Sequence, residues 1–343
     1  MALNFPDNPV NGQIYIGPGN IAWQWDLVKW TQVGVGSPQQ QSIQINGRLT
    51  LTSGVPVLTA DVSAATTIYW TPYQGNRIWI PDANQVLQCY VFNELSLALN
   101  TTAHLAGTNY DLFVWNNAGT LQLVSGPAWS SATARSAAIS LLNGIYVNTA
   151  VMAGIASGNV SVSVPAQQGL YVGTFQTNNA GQTTMSMNPA AASGGGVCKL
   201  LLWNNYNRVL IKGTTMDNGA GYALNASTPG YARSSVNNGI GFIAGLAEDI
   251  ITGILHWSCA FAAVANSNFS VGVAIDSGNT FNVTVEMRQS NGAASWSQRG
   301  NTPYNISPVL GGHVLSSMIA GDGTTTVSMN NYADGWLSAT FRM

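Results

Sequence analysis

The feature that most constrains the fold is a repeated alternation of apolar and polar residues, interrupted at short intervals by turn residues. The clearest case is the segment 281–288, FNVTVEMR, in which every second residue is apolar. Successive side chains of a β-strand point to opposite faces, so this pattern predicts a strand with one buried face. Similar short runs recur along the chain and predict an all-β protein built from β-sandwich or jelly-roll-like modules.

Two polar passages divide the chain. Residues 34–46, GVGSPQQQSIQIN, have the composition of an extended connector, and residues 176–197 form a second passage rich in Gly, Asn and Ala. At 343 residues the chain is long enough for more than one module. We therefore expect an N-terminal β-hairpin clip at 1–33, a linker at 34–47, a first module at 48–180 and a second at 181–343.

Three segments leave the choice between helix and strand open. In residues 94–99, ELSLAL, alternating leucines favour a strand, whereas residues 130–142 fit either structure. Residues 240–255 offer apolar contacts at helical spacing, but four glycines between Gly239 and Gly253 disfavour a helix.

The N-terminal segment Phe5–Trp30, FPDNPVNGQIYIGPGNIAWQWDLVKW, is denser in turn and aromatic residues than its surroundings. Turns at Asn11-Gly12 and at Gly17-Pro18-Gly19 predict two short strands, with two indoles on one face. A two-stranded ribbon is marginally stable alone in water, so this face should dock on a larger body. The residues expected to dock it are Ile14, Ile16, Trp23, Trp25 and Trp30.

The charge content restricts the kind of partner. Only 7% of residues are charged, compared with roughly 25% in an average soluble domain. Sparse charge suits a β-protein that buries much of its surface in an oligomer or a lattice, and a weakly charged monomer is the alternative. The net charge of −2 argues against nucleic acid as a ligand.

Targeting and redox signals are few. The start MALNFPDNPV has no signal-peptide pattern, and no charge-free run of 18 apolar residues follows, so we expect synthesis in a cytoplasm and no membrane insertion. Cys89, Cys198 and Cys259 lack metal or disulfide spacing and are interpreted as small hydrophobic residues.

No catalytic pattern is evident. His104, His256 and His313 stand outside metal-binding motifs and are interpreted as structural. The carboxylate pairs Glu248/Asp249 and Glu94/Asp111 are candidates for glycosidase chemistry, but such a pair is defined by spatial separation. We therefore expect a protein that is not an enzyme and that uses no cofactor or metal.

Aromatic residues near loops are the remaining candidates for a recognition surface. Rings near loops can stack on sugars or on protein; the alternative is packing in the core or between subunits. The candidates are Trp70, Tyr73, Trp79 and Trp129 in the first module, and Trp296 and Tyr304 in the second.

The elements FP, NPVNGQ, WQWD and KW of the N-terminal segment resemble short N-terminal modules in virion proteins of tailed bacteriophages, including fibre and tail-associated proteins. Residues 59–80, 112–123 and the region from 201 to 255 are similar to segments of phage structural proteins. This resemblance implies a virion component that is attached to other virion proteins through residues 5–30. It also implies that the β-modules project outward as a homotrimer.

Three functions therefore compete. The leading one is a phage structural protein, either a tail fibre that binds a host surface glycan or protein, or a head decoration protein. A carbohydrate-binding or polysaccharide-degrading tailspike-like protein is the second. A self-assembling surface protein unrelated to phage is the third.

Overall fold

The all-β fold predicted from the period-two pattern is confirmed. The computed structural model describes residues 5–18, 21–35, 43–219, 222–261, 267–289, 296–324, 326–329 and 335–343. These residues form thirty strands and a 3₁₀ turn at Ala232–Ser234. The chain divides into two compact units, residues 1–44 and residues 45–343.

The N-terminal unit is a three-stranded antiparallel sheet of order β1-β2-β3. Its strands are β1 (Ile14–Ile16), β2 (Ile21–Trp25) and β3 (Trp30–Val35). The turn predicted at Asn11-Gly12 is present, with Gly12 at φ +80°. The prediction of two strands was incomplete, because the segment after Trp30 pairs with β2 as a third strand. Gly19 of the second predicted turn and residues 36–42 of the predicted linker lie outside the described residues.

The larger unit contains the other strands. The first group is β4 (Gly47–Thr50), β5 (Val62–Ala65), β6 (Thr67–Pro72), β7 (Arg77–Pro81), β8 (Leu87–Val91), β9 (Leu95–Ala98), β10 (Asn109–Asn117), β11 (Thr120–Ala128) and β12 (Ile139–Leu142). The second is β13 (Ile145–Asn148), β14 (Met152–Ala156), β15 (Val160–Val164), β16 (Gly169–Gln176), β17 (Thr183–Ser186), β18 (Cys198–Leu200), β19 (Leu202–Asn204), β20 (Leu210–Asp217) and β21 (Tyr222–Leu224). The third is β22 (Gly230–Tyr231), β23 (Gly239–Ala244), β24 (Ile251–Phe261), β25 (Ser267–Ile275), β26 (Val283–Gln289), β27 (Trp296–Ile306), β28 (Gly311–Ala320), β29 (Val327–Met329) and β30 (Gly335–Arg342).

Three large sheets organise this unit. Sheet I has the order β12-β13-β16-β10-β11-β14-β15, with β19 also on β16. Sheet II has the order β26-β25-β28-β23-β18-β17-β5, with β22 also on β28. Sheet III has the order β20-β30-β24-β29-β21, with β27 also on β24. Smaller sheets are formed by β4-β6-β9 and by β7-β8.

Strand pairs cross the boundary predicted between residues 180 and 181. β5 pairs with β17, and β16 pairs with β19, so each side contributes strands to the sheets of the other. One cluster of buried side chains extends from Ile45 to Met343. The residues on the two sides therefore share a core and are joined through sheets.

Turn chemistry decides which neighbouring strands form hairpins. The hairpin predicted around residues 116–119 is confirmed as β10-β11, closed by Ala118 and Gly119, both at positive φ. The hairpin predicted across residues 71–76 is wrong, because β7 pairs with β8 instead of β6. Asp82 explains this pairing, since its carboxylate accepts the N–H groups of Asn84 and Val86 and closes the β7-β8 turn.

The ambiguous segments resolve as strands. Residues 95–98 form β9, and residues 239–244 and 251–261 form β23 and β24. Residues 130–142 contain no helix; a bridge joins Ser131 to Ala134, and β12 follows. The apolar alternation at 281–288 becomes β26, with Met287 buried.

Neutral amide side chains connect distant parts of the interior. The Asn204 side chain accepts from the Leu49 N–H at 2.6 Å and donates to the Leu49 carbonyl at 3.3 Å. It thus makes the two hydrogen bonds that the backbone of a neighbouring strand would make. Asn207 donates to the carbonyls of Ile45 at 2.6 Å and Gly47 at 2.9 Å. These bonds satisfy the outer edge of β4 without a charged group.

His104 is fully buried beside Tyr110 and Phe175, with ring centroids 5.1 and 5.8 Å away. Its Nδ1 accepts the N–H of Asn100 at 2.9 Å, and its Nε2 lies 2.9 Å from Ser125 Oγ. Since Nδ1 is an acceptor, the neutral ring donates from Nε2. Burial lowers the pKa of His104 below its usual value of 6.5.

Gly47→Ala should destabilise the larger unit, because the new Cβ would lie 2.1 Å from Cε2 of the fully buried Trp70. We expect a loss of about 1–3 kcal/mol in the free energy of unfolding, as for other overpacked cores. Urea unfolding measures it. Gly230→Ala is the matched control, since its Cβ would meet no atom within 4 Å; an equal loss in both variants would contradict the argument.

The lowered pKa of His104 predicts a pH dependence. The unfolded chain binds this proton below about pH 6.5 and the folded chain resists it, so stability should fall as the pH drops from 6.5 towards the folded pKa. The free energy of unfolding is measured against pH for the protein and for His104→Gln. Both retain His256 and His313, so the difference between the two curves isolates His104; parallel curves would show that it does not contribute.

Candidate recognition surfaces

Five aromatic side chains pack together in the N-terminal unit. Tyr15 pairs with Trp23 and Trp25 pairs with Trp30, which places these rings on one face of the sheet. Phe5 lies against three of them, with centroids 5.1 Å from Tyr15, 5.5 Å from Trp23 and 5.0 Å from Trp30. All five are half-buried. The unit therefore has an aromatic cluster of its own.

The opposite face of this sheet carries the two isoleucines. Ile14 pairs with Gln24 and Ile16 with Ala22, so both alternate with Tyr15 and point away from the cluster. Their exposed fractions are 51% and 60%. The five residues predicted to dock thus lie on two faces, with the tryptophans in the cluster and the isoleucines on the open side.

Three of the six predicted recognition aromatics are buried, and the prediction that they lie at the surface is wrong. Trp70 is fully enclosed, and the Trp129 ring lies 4.5 Å from the Arg135 guanidinium. Tyr304 donates from its hydroxyl to the Ser338 carbonyl at 2.9 Å. The alternation of their strands places Trp70 and Tyr304 inward, as the packing interpretation requires.

Two of the other three have described side chains. Tyr73 and Trp79 are half-buried, the latter on β7. Trp296 begins β27, but its side chain lies outside the described part.

The candidate carboxylates are held by protein partners. Asp111 is buried and accepts from Arg135 Nε at 2.7 Å and from Thr174 at 2.7 Å. Burial raises the pKa of Asp111, and the facing guanidinium opposes that rise. Glu94 accepts from Ser53, Gly54 and Thr71, which together lower its pKa against the effect of burial.

Glu248 and Asp249 share one cation. Arg208 donates to Glu248 at 2.9 Å and also to Asp249. Its guanidinium lies 5.2 Å from the Trp203 ring. The two carboxylates thus anchor Arg208, in keeping with their interpretation as structural.

The outer face of sheet III presents a second surface. Along β27, residues 301–306 alternate between exposed and buried. The strand register aligns Lys212, Thr340, Thr252 and Asn305 in one row across four strands. A second row aligns Trp336, His256 and Asn301.

An open groove of about 810 Å³ lies on this face. It is lined by Lys212, Thr252, Gly253, Ile254, Val283, Pro303, Tyr304, Asn305, Trp336, Ser338 and Thr340. Ligand sites are commonly concave surfaces of 300–1,000 Å³ with a few placed polar groups. The groove therefore has the size and the mixture of groups expected of a binding site.

Sequence reasoning missed this groove. The alternation of His256 with Trp257 predicts that the two side chains lie on opposite faces of a strand, but it does not predict which residues of other strands lie beside His256. Lys212 lies on β20 and Trp336 on β30, more than 120 residues apart in sequence. Only the pairing of these two strands brings the two side chains to the same surface.

Neither a metal-binding cluster nor a membrane-spanning helix is found in the part of the chain that the structure describes. No group of three His, Cys, Asp or Glu side chains there is arranged to hold a metal ion. Over the same ranges, no helix has the length and apolarity needed to cross a membrane.

Comparison with known proteins gives distant likenesses. No protein-family profile and no curated protein matches the sequence. Among solved structures, the insecticidal delta-endotoxin Cry8Ea1 from Bacillus thuringiensis is similar over 87% of this chain, at 8% identity and a TM-score of 0.21. The chain spans about half (52%) of the toxin's length.

Structures of infectious bursal disease virus are also similar. The Gx strain aligns with 82% of this chain and 72% of its own, at 12% identity and a TM-score of 0.24. The Gt strain aligns with 82% and 70%, at 11% identity and a TM-score of 0.26. TM-scores of this size do not establish a common fold, so function is argued from the chain itself.

Phe5→Ala should loosen the N-terminal unit alone, because Phe5 contacts three rings of the cluster. We expect a loss of about 1–3 kcal/mol in that unit. Near-ultraviolet circular dichroism during thermal unfolding follows the tryptophans. Val10→Ala is the control, since Val10 is 68% exposed in the same unit. An unchanged aromatic signal in Phe5→Ala would contradict a structural role for the cluster.

Proposed function

We propose that the chain is a non-enzymatic structural component of a tailed-phage virion, made in the host cytoplasm and attached to the particle through residues 5–30. In this proposal the larger unit projects outward as a homotrimer. The observation that carries it is the division into a small unit with its own aromatic cluster and a large β unit. An attachment module needs to fold separately from the body that it attaches.

The N-terminal unit has a surface suited to attachment. The aromatic cluster satisfies one face of its sheet within the unit, whereas Ile14 and Ile16 leave the other face apolar and exposed. Burying such a face against another virion protein would remove these side chains from water. The phage-like elements FP, NPVNGQ, WQWD and KW lie in the same segment.

Self-association is supported by the edges of sheet I. Its outer strands β12 and β15 carry Leu141 and Val160, which are 61% and 55% exposed. Edge strands with exposed apolar residues are suited to pairing with another copy. A low charge content favours burial of this kind, since each charge at an interface must be desolvated.

Binding rather than catalysis is supported by the placement of the carboxylates. Asp111 is paired with Arg135, and Glu248 and Asp249 are paired with Arg208. Glu94 accepts hydrogen bonds from neighbouring donors. The groove on sheet III favours a receptor-binding fibre over a head decoration protein, because a surface that binds only capsid has no need of a ligand-sized cleft.

The first experiment is a mass measurement by light scattering on the full chain and on residues 43–343. Both should be trimers, since the proposal assigns assembly to the larger unit. Monomers in both cases would overturn the trimer, and loss of the oligomer in the shorter chain alone would place the N-terminal unit in the subunit interface.

The double substitution Ile14→Asp/Ile16→Asp should abolish attachment without unfolding the unit, because both side chains lie outside the aromatic cluster. Co-sedimentation with virions of the phage that encodes the chain should fall at least tenfold, since two charges would be buried without partners. Val10→Asp/Val28→Asp is the matched control, with two exposed valines of the same unit that lie outside its strands. Equal loss in both variants, or none in the first, would contradict the docking surface.

A further inference from the structure

We propose that the groove on sheet III binds an acidic saccharide, with Trp336 as the stacking surface and Lys212 as the group that recognises the carboxylate. An acidic saccharide would be the ligand of the larger unit. The biological setting of this proposal rests on the proposed function. Its evidence is the geometry of the groove.

Trp336 has His256 and Lys212 as neighbours on this face. The His256 ring stacks against it at a centroid distance of 5.4 Å and an interplanar angle of 18°. Asn301 Oδ1 accepts from His256 Nδ1 at 2.7 Å and fixes that ring in turn. Lys212 Nζ lies 5.8 Å from the indole centroid. A supported ring offers a flat apolar surface without a large loss of side-chain entropy on binding.

Further along the groove, hydrogen-bonding groups have unused capacity. The hydroxyls of Thr252 and Thr340 and the amide of Asn305 line it in a row four residues from Trp336 on β30, and none bonds to another side chain or to the backbone within the described ranges. A groove that combines a flat ring with a row of small donors and acceptors matches a saccharide, whose sugars have apolar ring faces and hydroxyls at their edges. A peptide side chain would instead require a deeper apolar pocket.

The charge of the groove selects an acidic ligand. Lys212 is exposed and forms no ion pair with any described carboxylate, and the lining contains no Asp or Glu. A single cation in a chain of net charge −2 does not make a nucleic-acid surface, which requires a stripe of basic residues. It suits one carboxylate on a sugar.

The same composition excludes hydrolysis of the ligand by the usual mechanism. Glycoside cleavage uses two carboxyl groups on either side of the scissile bond, and the groove lining has none. The groove is therefore a site that holds a saccharide and does not cleave it.

The test is a printed array of oligosaccharides, including uronic acid, sialic acid and neutral hexose chains, probed with the full chain. We expect retention of acidic chains over neutral ones. Lys212→Gln should lower the affinity for the best acidic chain roughly tenfold, the loss of one charge-assisted hydrogen bond, and remove the preference over neutral chains. Trp336→Ala should lose binding, and Trp336→Phe should retain part of it.

Arg77→Gln is the matched control, an exposed cation on β7 whose loss changes the net charge equally. Absence of binding to every acidic chain, or an equal effect of Lys212→Gln and Arg77→Gln, overturns the inference. A change of oligomer mass in Trp336→Ala also overturns it, since the face would then be a subunit interface.

Co-sedimentation with virions is measured on the same samples, so loss of the saccharide site with intact attachment leaves the proposed function standing. Saccharide binding by a chain that does not attach overturns the proposed function alone.

Discussion

The structure depends on satisfying the backbone of many short strands in a chain in which only 7% of residues are charged. Each strand end and sheet edge leaves N–H and C=O groups that must find partners when buried. Asn204 and Asn207 perform this task for β4, across more than 150 residues of sequence. Asn148 does the same in sheet I, accepting the N–H of Gly169 and donating to the carbonyl of Pro165, both at 2.8 Å. The abundance of neutral polar residues thus follows from how this interior is bonded.

Local structure was readable from the sequence wherever alternation and turn chemistry agreed. The strand at 95–98 and the hairpin at 110–124 follow from side-chain period and an Asn-Ala-Gly turn. The turn at Asp82 was missed because its effect depends on a carboxylate that bonds to the backbone two and four residues later. That contact has no apolar pattern to reveal it.

Long-range pairing was not readable in this way. Any of the exposed alternating strands could in principle carry a recognition surface, and the sequence does not say which strands become neighbours. Trp70 and Tyr304 illustrate the limit, because an aromatic residue beside a predicted turn packs inward or outward according to strand parity and pairing. The groove on sheet III needed four strands to be aligned before Lys212 and Trp336 could be recognised as neighbours.

The position of β30 has a consequence for how the protein is made. This strand follows both β20 and β24 in the sequence, yet it lies between them in sheet III and pairs with each over five or more residues. Until residues 335–342 have left the ribosome, β20 and β24 each lack this neighbour, and contacts of such long range form late in folding. A polypeptide released early would carry two open edges that invite aggregation. Synthesis through residue 342 is therefore a condition for a sheet that can support any partner.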